Sequence, residues 1–154
     1  MEATAATDFK NSILMEDIMQ CGNLYKTETL KPINQFVKDL NSAAKKRGFI
    51  IHNEDKMEMA HSFGKHGVEV AEGFDLHMIQ ICKPEKAAKS LGKNPERAIL
   101  MPKFIMTFSK DNKTQIRFLS YSKDMIANLV DDPEFPDSLE ETYKNIIAMI
   151  EDAK

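Results

Sequence analysis

Cysteine is scarce in this 154-residue chain: Cys21 and Cys82 are the two, and they stand far apart. They form no CxxC and no zinc spacing, so neither a redox dithiol nor a zinc knot is expected. A lone structural disulfide is disfavoured, because nothing marks the chain as secreted. Met1 to Lys10 lacks a basic stretch leading into an apolar one, so no signal peptide is expected and the cytoplasm is the expected compartment. No apolar run approaches the roughly 20 residues of a membrane span. A basic surplus is also missing. With 21 basic and 24 acidic residues the formal charge is −3, which offers no footprint for nucleic acid. The one basic run, Lys45-Lys46-Arg47, falls where a helix should end and complements its dipole. The templates GxSxG, HExxH, GxGxxG and the Walker loop are all absent. Neither a catalytic set nor a metal site is expected, and no cofactor.

What is present is an ordinary globular composition, 42% hydrophobic and 29% charged. A chain of this length buries roughly 70% of its unfolded surface, enough for a core without disulfide or metal. Residues 1–10 read as a flexible start, and 11–154 as a single α+β domain. The apolar stretch at 13–19, broken by Glu16 and Asp17, reads as a strand. Residues 29–47 carry the clearest helix, with Leu30, Ile33, Val37, Leu40 and Ala44 on one face, Thr29 as cap and Gly48 as stop. Phe49-Ile50-Ile51 should follow as a strand buried on both faces. The segment 54–73, with glycines at 64, 67 and 73, reads mostly as a mobile loop that could hold a short helix.

Residues 75–82 form the next expected strand, with His77, Ile79 and Ile81 sharing a face. Pro84 opens a short helix whose Ala87, Ala88 and Leu91 face inward and which Gly92 ends. Residues 98–109 and 114–120 read as a hairpin across Lys110 to Lys113, with Pro102 marking an edge strand or a bulge. Asp131, Asp132, Glu134 and Asp137 lie in a solvated acidic turn. Ser138 and Glu141 then make a capping box, and Leu139, Tyr143, Ile146, Ile147 and Ile150 form the inward face of the last helix. The order β-α-β-β-α-β-β-α predicts a mostly antiparallel sheet with helices packed on one face.

Four features in order carry a family resemblance. Gly48-Phe49 opens a strand after a long helix. Cys82-Lys83-Pro84 is followed by Ala87. Asn94-Pro95 leads to Ala98-Ile99-Leu100-Met101-Pro102. Lys113-Thr114 begins the second strand of the hairpin. Over residues 48–153 the chain resembles the domain of unknown function family 302. The resemblance implies a compact α+β domain, often a homodimer, and it implies no activity. Lys83 stands where the family usually has Asn, and Lys103 where a second Cys is usual. Any chemistry of paired cysteines is therefore not expected here.

Cys82 is the sharpest candidate for chemistry. It ends a strand beside the free amides of a helix start, with Lys83 adjacent, an arrangement that favours thiolate if the sulfur points at those amides. Turned into the core, the same thiol is inert, and this reading ranks first. Lys103 adds a second cation if the two proline-bearing segments meet in space. His61 and His66, with Met57 and Met59, make a Met-x-Met-x-His run; methionines packing on the sheet are favoured over a Cu(I) site. The candidate ligand-binding residues are thus Cys82, Lys83, Pro84, Lys103, His61 and His66. The leading expectation is a homodimeric small-molecule-binding module taking a small anionic or electrophilic ligand. A thiol-active, sulfur-handling or redox protein using Cys82 is the alternative, and a structural or regulatory partner without a small ligand is the third.

Overall fold

The computed structural model describes residues 21–154. The strand read at 13–19 and the flexible start over 1–10 lie outside the described residues. The strands are β1 (Gly22–Thr29), β2 (Ile50–Ile51), β3 (Leu76–Cys82), β4 (Phe104–Lys110) and β5 (Lys113–Tyr121). They form one antiparallel sheet in the order β1-β5-β4-β3-β2. The helices are α1 (Ile33–Lys46), α2 (Met59–Gly64), α3 (Pro84–Lys93), α4 (Lys123–Leu129) and α5 (Phe135–Ala153), with a 3₁₀ turn at Pro95–Leu100.

Strand alternation sets the core. Ile79 pairs with Ile105, and Ile105 with Phe118, and all three are buried on one face together with Ile81, Thr107 and Ile116. Two helices cover that face. α1 contributes Phe36, Val37, Leu40, Ala43 and Ala44, and α5 contributes Leu139, Tyr143, Ile146 and Ile150. The Phe118 ring meets Tyr143 edge-on at 5.9 Å, tying β5 to α5. Each large side chain buried here contributes about 1.5–3 kcal/mol relative to exposure. The α+β class, the antiparallel sheet and the helices over its inward face are therefore as expected.

Several element boundaries differ, each for a local reason. The first long helix begins at Ile33, because Pro32 holds the residue before it out of the helical region. Thr29 ends β1, its Oγ1 accepting from Lys31 N at 3.2 Å, and Leu30 is 82% exposed. β1 itself was not read from the sequence. It is an edge strand whose inward side has Thr27 and Thr29 beside Tyr25 and whose outward side has Leu24 beside Lys26 and Glu28, so its alternation is weak. Ile50 is exposed where burial on both faces was expected. β4 is central, not an edge. Pro102 precedes it and is outside the ladder, while Lys103 O accepts from Ile81 N at 2.9 Å. Residues 98–100, expected to open that strand, belong instead to the 3₁₀ turn at Pro95–Leu100. Gly92 lies inside α3 and does not end it, and Ala88 is exposed.

α4 was also unread; Ser122 caps it, accepting from Met125 N at 3.2 Å. α5 starts at Phe135, so Ser138 is within the helix and no Ser138–Glu141 box forms. Asp132 Oδ1 instead accepts from Glu134 N and Phe135 N, both at 3.0 Å.

Within the 54–73 segment α2 is the regular part. The chain before it completes the outer edge of β3. His52 N donates to Gln80 O, Met78 N donates to Met57 O, and the Asn53 side chain bonds both Met78 O and Gln80 N. An asparagine side chain here substitutes for strand backbone, which lets β2 stop after two residues. Met57 packs against the core.

Candidate functional site

Where β3 ends and α3 begins, the sheet, α3 and α5 border a half-open cavity of about 200 Å³. That exceeds the roughly 150 Å³ that holds benzene in an apolar protein cavity. Cys82, Lys83 and Lys103 line it, so the structure brings together three of the residues singled out in the sequence. Pro84 takes the first position of α3, fixing where the helix starts. His61 and His66 are exposed on and beyond α2 and do not line the cavity. The histidine that does is His52, whose exposed side chain is held on the rim by the pairing of its amide with β3.

The meeting of Cys82 with Lys103 follows from the ladder. Ile81 N bonds Lys103 O, so the residue after Pro102 lies beside the end of β3. Lys103 is partly buried and its Nζ donates to Met101 O at 3.0 Å. Burial pushes its amine down to about 8; the nearby Cys82 opposes this and Lys86 adds to it. Lys86, not singled out in the sequence, reaches in from α3. Its Nζ donates to Ser138 O at 3.0 Å and to Thr142 Oγ1 at 2.8 Å, bridging α3 to α5. Desolvation lowers its basicity too, Glu141 offsets this, and Lys83 adds to it. Lys86 shares the inner side of α3 with Ser90, four residues on. That spacing was the available signal, hidden because Lys86 reads as a solvated charge beside Glu85.

Lys83 sits with its Nζ 5.6 Å from the centre of the Phe49 ring. Gly48 makes room for it. Its φ is +77°, and a side chain there would meet Lys83 Cε at 3.4 Å. Cys82 is a half-buried free thiol in the cavity wall. The remaining wall is largely apolar, with Phe49, Leu91, Met101, Phe135 and Leu139. Among the described residues no Asp or Glu lines it. Among the described residues no cluster of His, Cys, Asp and Glu could hold a metal ion. No helix among them is long and apolar enough to cross a membrane.

Behind the wall lies a buried ion pair. Arg97 Nε and Nη2 donate to Asp132 at 2.7 and 3.0 Å, Arg97 Nη1 donates to Ser90 Oγ at 2.9 Å, and Asn94 Nδ2 donates to Asp132 Oδ2. The side chains are 5% and 8% exposed, so Asp132 does not belong to a solvated acidic turn. Arg97 also lies over the Phe135 ring at 5.2 Å. Through Ser90 and Phe135 the pair braces two walls of the cavity.

A single antiparallel sheet, helices over one face and a lysine-lined cavity at the strand end define a small α+β protein with a candidate ligand pocket. The family model described as Domain of unknown function DUF302 matches residues 25–153, and the chain belongs to that family. The match begins within β1 and takes in the whole of α1. The chain is also similar in fold to the crystal structure of an uncharacterized conserved protein DUF302 from Bacillus stearothermophilus. Identity is 16%, coverage is 85% of this chain and 98% of that one, and the TM-score is 0.69. No curated protein matches the chain.

Proposed function

We propose that the protein is a binding module whose cavity takes a small anionic ligand with an apolar body. One observation carries this reading: every lysine that lines the cavity, Lys83, Lys86 and Lys103, is unopposed by a lining carboxylate. Cations gathered in a partly desolvated space repel one another, and an anion relieves that repulsion. The start of α3, which has no side-chain cap, adds a favourable dipole end beside them. The cavity volume admits a ligand of the size of a short carboxylic acid. A ligand that binds only the folded state raises the melting temperature with its concentration. Propionate should do so in the native protein, and Lys103→Met and Lys86→Met should each weaken the effect. A melting temperature unmoved by propionate and by inorganic phosphate counts against the reading.

A second reading, a thiol-active protein, draws on the Cys82 thiol beside the Lys103 amine. Alkylation of the native protein across pH, with Cys82→Ser to assign the signal, tests it. Modification below the free-thiol value of about 8.5 favours it, and modification confined to the unfolded chain removes it. The reduced thiol suits a reducing compartment, and the cytoplasm is the proposed location. The protein is further proposed to act as a homodimer, through the outer face of the sheet.

A further inference from the structure

Lys103 differs from the other lining lysines in its surroundings. The oxygen its Nζ bonds is a backbone carbonyl, Met101 O, and it has no ion pair with any described carboxylate. The groups that face it are the Cys82 thiol from β3 and the Lys86 ammonium from α3, with Lys83 also lining the space. His52 stands on the rim, and the rest of the lining combines apolar side chains with Gln80, Ser90, Ser138 and Thr142. An amine held in a cavity, without a carboxylate to keep it charged, is placed to act as a nucleophile.

We propose that Lys103 captures a small carbonyl compound bearing an anionic group, holding it as an imine in the cavity. The proposal rests on the anion-binding reading above, with Lys83 and Lys86 receiving the anionic group. The neutral amine adds to the carbonyl carbon and a C–N bond forms. A proton passes from nitrogen to oxygen to give the carbinolamine. The C–O bond then breaks, the oxygen leaves as water, and C=N remains. No oxidant or reductant is consumed. The Cys82 thiol and the Lys86 ammonium line the same cavity and are the groups available to pass the protons involved. The desolvation that brings Lys103 down to about 8 from an ordinary 10.5 leaves roughly 300-fold more free amine at neutral pH than a surface lysine has.

The probe is glyoxylate, with sodium borohydride supplied to reduce any imine to a stable secondary amine. The intact chain is treated across a pH series and mapped by peptide mass spectrometry. The expected result is one carboxymethyl group per chain, on Lys103. Its rate should exceed that of exposed lysines such as Lys89 by at least about tenfold and rise through a midpoint near 8. Lys103→Met and Lys103→Arg should abolish the labelling, and Lys86→Met should raise the glyoxylate concentration needed. The wild-type map decides the matter even if a variant folds poorly. Labelling spread over surface lysines by exposure, or centred on Lys86, overturns the proposal. Propionate, which carries the carboxylate without the carbonyl, separates the two readings. If it binds while Lys103 stays unlabelled, imine capture fails and the anion pocket stands. If it fails to bind while Lys103 is labelled, capture stands and the anion reading falls. If it neither binds nor is Lys103 labelled, both fall.

Discussion

Asp132 shows how a single side chain escapes a reading by composition. In the sequence it is one of four carboxylates around two prolines, which looks like a solvated turn. Its partner, Arg97, is 35 residues away, and no local pattern joins them. The Arg97 guanidinium, with Asn94 and the amides of Glu134 and Phe135, holds the Asp132 carboxyl well below the usual carboxylate range. A folded-state value below the unfolded one means that ionised Asp132 favours the folded state. The contribution is complete above the ordinary value of 3.8 and is lost as pH falls through that value toward the lower folded one. Arg97→Met removes the partner and leaves a nearly buried carboxylate. The expected outcome is a clear drop in melting temperature at neutral pH, together with a shallower fall in stability between about pH 5 and pH 3 than the wild type shows. Chemical denaturation repeated across that range measures both. A parallel offset at every pH would mean that the pair does not govern the acid limb. The lysines Lys83 and Lys103 were legible one by one, because both flank prolines at strand ends. Their convergence with Lys86 was not, since it is made by packing between elements distant in sequence.

At the scale of elements, legibility followed the strength of the local signal. α1, β3, the hairpin and α5 have strong periodicity and were found, with errors at their ends where a proline or a side-chain cap decided the boundary. β1 and α4 were missed. The first has threonines on its inward side and a leucine on its outward one, and the second buries only Ile126 as a core residue. β2 was expected from Phe49-Ile50-Ile51, but the pairing that continues it along β3 uses Asn53, whose side chain imitates backbone pairing and leaves no trace in a hydrophobic pattern. The hairpin turn was placed correctly, and its geometry is informative. Asp111 and Asn112 have φ of 56° and 59°, the pair of left-handed residues that a type I′ turn requires. Glycine adopts that region without steric cost, and Asp-Gly is a favoured pair in this turn. Asn112→Gly should therefore raise stability by about 0.5 kcal/mol, seen as a higher denaturant midpoint at unchanged slope. A lower midpoint would show that the asparagine side chain contributes more than the backbone strain it brings.

On the scale of the molecule, the sheet has one face covered by α1 and α5, and part of the other is open. The register places Leu24 opposite Leu119 on that outer side, and both are more than half exposed. Phe104 and Pro102 continue the patch toward Ile99, which is 69% exposed, and together these residues line a shallow depression. Scattered exposed leucines need no explanation, but a grouping of them with an aromatic neighbour on a sheet surface suits the homodimer proposed above. A two-fold pairing of this surface with itself would cover both copies at once, since each presents the same patch. It would also bring the partner close to the cavity, because Pro102 and Lys103 line both the depression and the cavity. The expected outcome is a dimer in sedimentation at micromolar concentration. Leu24→Lys with Leu119→Lys should convert it to monomer with an unchanged circular dichroism spectrum, since neither side chain belongs to the core and like charges would then face each other across the interface. A wild-type monomer removes the dimer. A double variant that stays dimeric moves the interface elsewhere, with the edge of β1 the next surface to block. If the double variant is monomeric and also binds propionate more weakly, the cavity depends on the second copy, and pairing and binding are one linked equilibrium.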